Sequence, residues 1–131
     1  MGERPNPLLL TSALLYFVAA IALLFAPREL ASLAGAAGGS GQDALLQVLG
    51  SALLGFSMLN WSNRYSRLGG ILGRPLILAN LAHAATAALL LVRVAVAPPI
   101  VATLVGATIV YAGLAIAFGA VLFRDPHAES P

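Results

Sequence analysis

Four long apolar stretches occupy most of this chain and leave few folds open to it. They are residues 8–26, 44–63, 75–95 and 99–123. Only the third contains a charged residue, Arg93 near its end. A helix needs about 20 apolar residues to cross the hydrocarbon core of a bilayer. The sequence therefore predicts an all-α integral membrane protein, a single domain over residues 1–131 in which four transmembrane helices form an up-and-down bundle.

The composition excludes an ordinary water-soluble domain. Hydrophobic residues make up 60% of the 131 residues and charged residues 9%, and the mean hydropathy is +0.91, far from the balance of soluble domains. The arginines behind the net charge of +2 are scattered between the apolar stretches. Nucleic acid, which needs a concentrated basic face, is therefore not an expected partner, and the lipid bilayer is. Cysteine is absent, which removes thiolate chemistry and cysteine metal sites.

The segments around the spans have simpler interpretations. Arg4 followed by a hydrophobic run could mark a signal peptide, but 19 apolar residues exceed the core of such a peptide, which favours a first span. Residues 34–42 are expected to form a flexible glycine-rich loop, and 124–131 a polar C-terminal tail. Asp43 is suited to cap the second span at its N-terminus.

The positions of the arginines predict the orientation of the bundle. Five of them fall on one side of the membrane and two on the other. The larger group is Arg4, Arg64, Arg67, Arg74 and Arg124, and the smaller is Arg28 and Arg93. Because positive residues concentrate on the cytoplasmic side, we expect a multi-pass protein of the cell membrane, the inner membrane of a bacterium, with both termini in the cytoplasm.

A few polar residues interrupt the apolar stretches. In hydrocarbon each must find a partner or a water-filled space, so we expect them to face inward and meet. Helical spacing and depth place five of them in the cytoplasmic half of the bundle, with two more at its mouth. The five are Tyr16, Ser57, Asn60, Asn80 and His83, and the two are Trp61 and Arg64. Trp61, Tyr65 and Tyr111 are also expected as interfacial anchors.

The predicted polar cluster has two interpretations. In the first it joins helices, with Asn60 bonded to Asn80 and His83 bonded to Tyr16 or to a backbone carbonyl. In the second it binds lipid, quinone or a similar hydrophobic ligand. A cavity beside these side chains would favour a ligand site, and direct bonds between them would favour helix joining. No resident cofactor or metal is expected; haem on His83, with Met58 or a second copy's histidine as the other ligand, is the alternative.

Small residues spaced four apart offer surfaces for helix packing. Gly106, Gly113 and Gly119 mark such grooves in the fourth span, which is therefore the expected contact face for a homo-oligomer or a larger membrane complex.

No nucleophile with a base, paired acid and base, or metal set appears in the spans, so the protein is not expected to be an enzyme. The sequence instead favours an accessory subunit or a ligand binder. A subunit of an oligomeric channel or transporter is the alternative.

Overall fold

The computed structural model describes residues 4–66 and 73–123, and all regular structure in those ranges is α-helical. The helices are α1 Pro7–Phe25, α2 Pro27–Leu33, α3 Ser40–Ser62, α4 Gly73–Ala95 and α5 Ala102–Leu122. Within the described ranges, α1, α3, α4 and α5 are long and apolar enough to span a membrane. They pack as a bundle, so the predicted fold class is confirmed.

Local chemistry sets both ends of α1. The side-chain oxygen of Asn6 accepts hydrogen bonds from the backbone N–H groups of Leu8 and Leu9, at 3.0 and 3.4 Å. Pro7 occupies the first turn, where its missing N–H costs nothing. Pro27 begins α2 directly after the cap residue Ala26, because proline cannot continue the preceding helix.

The segment between the first two spans is more ordered than expected. Residues 27–33 form α2, and Gly35, which follows the cap residue Ala34, has a positive φ of 74°, a conformation that glycine adopts freely. Helix α3 already starts at Ser40, so the glycine-rich connection is shorter than the predicted 34–42.

Asp43 does not cap α3, contrary to our expectation. The helix is preceded by Gly39, and Asp43 lies within its first turn. The Asp43 carboxylate accepts a hydrogen bond of 2.7 Å from Nε of Arg28, and this bond raises the pKa of the Arg28 guanidinium. An acidic side chain near a helix N-terminus also suits the helix dipole. Asp43 therefore ties α2 to α3.

The four long helices form two antiparallel pairs. Helix α1 packs along α3 and α4 along α5, whereas contacts between the two pairs are few. Helices α1 and α3 approach each other closely at Gly50 of α3, where an added Cβ would lie 3.0 Å from the Leu23 Cβ and 3.1 Å from the Ala20 carbonyl oxygen. Helix α2 connects α1 to α3, and residues 96–101 connect α4 to α5. Both connections lie at the same end of the bundle. We call this the α2 end, and the opposite end the Asn6 end.

The hydrophobic core is concentrated towards the Asn6 end. Its buried members there come from both helix pairs: Leu9, Leu76, Ile77, Leu114 and Phe118. Towards the α2 end the pairs diverge, and a cavity replaces the core. The two helix pairs are thus packed together at one end and separated by a cavity at the other.

Candidate functional site

Asn60 and Asn80 join the two helix pairs near the Asn6 end. Each side-chain amide donates to the other's carbonyl oxygen at 2.8 Å, and both residues have no exposed surface. The remaining amide hydrogens are also used, since Asn60 donates to the Ser12 hydroxyl at 2.9 Å and Asn80 to the Leu76 carbonyl at 2.9 Å. We call this reciprocal pair the asparagine clasp. It forms the direct bond expected of helix joining.

Two serines complete this layer. Ser57 donates to the Ala13 carbonyl at 2.8 Å, and Ser12 to the Leu9 carbonyl at 3.1 Å. Ser12 is fully buried but was absent from the predicted cluster. Its position four residues before Tyr16, on the same face of α1, was the signal that could have identified it.

His83 lies one helical turn beyond the clasp, in a ring of aromatic side chains. It stacks on Phe56 at a centroid distance of 4.9 Å and meets Tyr16 and Tyr111 edge-on at 5.6 and 5.5 Å. The expected hydrogen bond of His83 is not formed, because neither its Nε2 atom nor the Tyr16 hydroxyl has a partner among residues 4–66 and 73–123. We call Tyr16, Phe56, His83 and Tyr111 the aromatic ring cluster.

Tyr111 belongs to this cluster and is not an interfacial anchor, contrary to our prediction. It lies near the middle of α5, about 13 Å from the start of the helix. The depth of Tyr111 could be read from the sequence, but its contact with His83 could not, because His83 comes from another helix.

A cavity of about 780 Å³ begins at the aromatic ring cluster and extends towards the α2 end. All five helices contribute to its wall. The polar residues in the wall are Gln42, His83, Thr86 and Tyr111, and its apolar residues include Leu23, Leu30, Leu46, Leu53, Ala87, Leu91, Leu104 and Ala107. None of the described residues in this wall is charged. Among the seven predicted cluster residues, His83 alone lines the cavity as the structure describes it.

The cavity opens sideways between α3 and α4. The wall residues on that side are exposed: Leu49, Ala82, Thr86 and Leu90. The wall residues of α1 and α5 are only partly exposed, and these two helices contact each other. Since α3 and α4 both span the membrane, this opening faces lipid.

Trp61 and Arg64 lie outside this cavity, at the Asn6 end. The Arg64 guanidinium carbon is 4.3 Å from the Trp61 ring centroid and 4.6 Å from that of Tyr65, and Arg64 donates to the Trp61 carbonyl at 2.7 Å. Trp61 is 44% exposed. An exposed aromatic group with a cation at the end of a span is typical of an interfacial anchor.

Met58 and Trp61 line a separate, smaller groove of about 270 Å³. Met58 is half exposed there, whereas His83 lines the large cavity. The structure therefore does not bring together the two side chains of one chain that were considered as haem ligands.

The three glycines of α5 have different surroundings. A Cβ at Gly119 would meet Leu81 of α4 at 3.7 Å, so Gly119 packs inside the bundle. At Gly106 and Gly113 an added Cβ would have no neighbour within 4 Å among the residues that the structure describes. Of the arginines that predict orientation, Arg67 and Arg124 lie outside the described residues, as does the tail 124–131.

Over residues 4–66 and 73–123, these features define the class of the protein as a multi-pass, all-helical membrane protein with four helices able to span the bilayer. Comparisons with protein family models, curated proteins and solved structures found no match.

Proposed function

We propose that this protein binds an uncharged hydrophobic molecule inside the membrane, in the cavity between its two helix pairs. The observation that carries the proposal is the cavity itself. Its volume of about 780 Å³ falls in the range of small-molecule sites, roughly 300–1,000 Å³. A mainly apolar wall with a few polar side chains is also typical of such sites.

The size of the cavity argues that something occupies it in the membrane. Unfilled space in a protein interior costs about 24 cal/mol per Å³. The wall of this cavity is mainly apolar and opens towards lipid, so a hydrophobic occupant from the bilayer is favoured over empty space. A hydrophobic molecule that fills the cavity removes the cost of this unfilled space.

The sideways opening supports entry from the bilayer. A molecule that dissolves in lipid reaches the gap between Leu49 and Leu90 without crossing water. At the α2 end, Leu30 and Ala31 of α2 form part of the wall, and the Arg28–Asp43 bond holds this helix on α3. We therefore propose that the ligand enters laterally and not from the aqueous side.

A cavity-filling variant tests the proposal. Ala107→Phe places a ring into the cavity, whereas Ala120→Phe adds the same ring on an exposed part of α5 outside it. We expect native mass spectrometry to find a retained small hydrophobic molecule on the wild-type protein and on Ala120→Phe, and at least a fivefold loss in Ala107→Phe. Equal retention by the two variants would contradict the proposal.

A second candidate is an accessory subunit or homo-oligomer that uses the open side of α5. It is favoured by Gly106 and Gly113, whose outward faces leave a shallow groove for a neighbouring helix. Gly113→Leu would fill that groove, and Gly55→Leu is the matched control on an equally open position of α3.

We expect Gly113→Leu to lower the oligomer mass, or to remove partners of defined stoichiometry, in light scattering of the detergent-solubilised protein. The same mass for the wild type and both variants would remove this candidate.

A further inference from the structure

We infer that the ligand is a neutral lipid with a carbonyl-bearing ring, of the quinone class, and that its carbonyl oxygen lies against His83 at the middle of the membrane. This inference rests on the proposed function and specifies the ligand and its orientation. It is argued from the charge of the wall, the depth of His83 and the hydrogen-bonding atoms around it.

The wall excludes a charged ligand. None of its described residues carries a charge, and a charged group placed there would lose its hydration without gaining a counter-ion. A fatty acid carboxylate and an anionic phospholipid headgroup are therefore unsuitable occupants of the inner part of the cavity.

Depth excludes the headgroup of any ordinary phospholipid. His83 lies 10 residues after the start of α4 and 12 before its end, which is about 15 and 18 Å along the helix. Since the hydrocarbon core is about 30 Å thick, His83 lies close to its middle. Phospholipid headgroups stay at the surface of the bilayer, whereas a neutral ring on a hydrocarbon tail can reach this depth.

The polar atoms beside the cavity favour a ligand that accepts hydrogen bonds. His83 places its imidazole in the cavity wall, and its Nε2 atom has no partner among the described residues. Buried polar atoms are costly when unpaired, most of all in hydrocarbon. A carbonyl oxygen accepts from the N–H of an imidazole, and the rings of His83 and Tyr111, which both line the cavity, suit a planar ring.

Two matched probes test the inference, a benzoquinone with a decyl tail and decylbenzene, which has the same tail and ring size but no carbonyl. We expect the wild-type protein in lipid nanodiscs to bind the quinone about three- to tenfold more tightly, since one neutral hydrogen bond separates the probes. In His83→Phe, which keeps an aromatic ring, this preference should disappear while decylbenzene binding is unchanged. Thr108→Val, in α5 outside the cavity wall, is the control and should keep the preference.

The carbonyl stretching band of the bound quinone gives an independent measurement on the wild-type protein. Infrared spectroscopy should show it at a lower frequency than in lipid alone, because hydrogen bonding weakens the C=O bond. An unshifted band, or equal affinity for the two probes, would overturn the inference and leave the cavity as a hydrophobic site. Retention of phospholipid in place of either probe would overturn it as well. Failure of both probes to bind, with no effect of Ala107→Phe on retained molecules, would overturn the proposed function too.

Discussion

Asn60, Asn80 and His83 are polar residues that lie within one helical turn of each other in depth, yet their surroundings differ. The two asparagines present matching donors and acceptors, so each satisfies the other and is fully buried. His83 has aromatic neighbours in place of hydrogen-bonding ones, and it borders the cavity. The asparagines therefore join α3 to α4, while His83 lines the cavity and its Nε2 atom has no partner among the described residues.

The asparagine clasp should make the two residues energetically dependent on each other. We expect Asn60→Leu to destabilise the protein by about 1–3 kcal/mol, because it leaves the Asn80 amide partly unpaired in hydrocarbon. The double variant Asn60→Leu with Asn80→Leu should cost less than the sum of the single variants. Unfolding free energies measured in bicelles provide this double-mutant cycle.

Ser51→Ala is a suitable control for the cycle, since Ser51 is exposed and bonds only within its own helix among the described residues. Strictly additive effects of the two asparagine substitutions would show that the clasp does not couple the helix pairs.

Close approach of the backbones contributes to the packing of α1 on α3. At Gly50 the backbones of α1 and α3 come so near that a methyl group would meet Leu23, Leu24 and the Ala20 carbonyl at 3.0 to 3.1 Å. Gly55, in the same helix, has no described atom within 4 Å of an added Cβ. Packing of this kind is the main source of helix association where lipid removes the hydrophobic advantage of burial.

This difference predicts unequal effects on stability for the same substitution at the two positions. Gly50→Ala should destabilise the protein by about 1–3 kcal/mol, because one of the close atoms belongs to the backbone and α1 must move. Gly55→Ala should change stability by less than about 0.5 kcal/mol. Thermal unfolding of the two variants in one detergent measures the contrast, and equal midpoints would argue against a tight α1–α3 contact.

For the molecule as a whole, the decisive feature is the uneven joining of its two helix pairs. The clasp and the core close the Asn6 end, and the pairs diverge into the cavity at the α2 end. With both termini in the cytoplasm, as the arginines predict, the cavity begins near mid-membrane and extends through the outer half. The site that we propose thus lies beyond the cytoplasmic half in which the sequence placed it.

The orientation can be measured without background because the chain contains no cysteine. Gly38→Cys lies in the connection at the α2 end, and Ser66→Cys follows α3 at the Asn6 end; both positions are exposed. We expect a membrane-impermeant maleimide to label Gly38→Cys in intact cells and Ser66→Cys only after permeabilisation. The reverse pattern would place both termini outside the cytoplasm.

Much of the fold could be predicted because its information is local. Apolar length predicts the four spanning helices, and the prolines Pro7 and Pro27 lie where α1 begins and where it has ended. The rise per residue of a helix also predicts that Asn60 and Asn80 lie at the same depth, and the structure shows the hydrogen bonds between their side chains. Asp43 shows the limit: it has the chemistry of a cap, but a partner 15 positions away, Arg28, takes its carboxylate inside the first turn.

The amino-acid pattern alone determined that the solvent is the membrane, that the fold is helical, and that the polar residues within the spans must turn inward. Hydrocarbon imposes these requirements on each segment separately. Packing between distant helices was needed to separate the clasp from His83, to bring Tyr111 to it and to leave a cavity beside it. The physical reason is that a void depends on how far apart whole helices lie, and small residues such as Gly50 set that distance only once the facing helix is known.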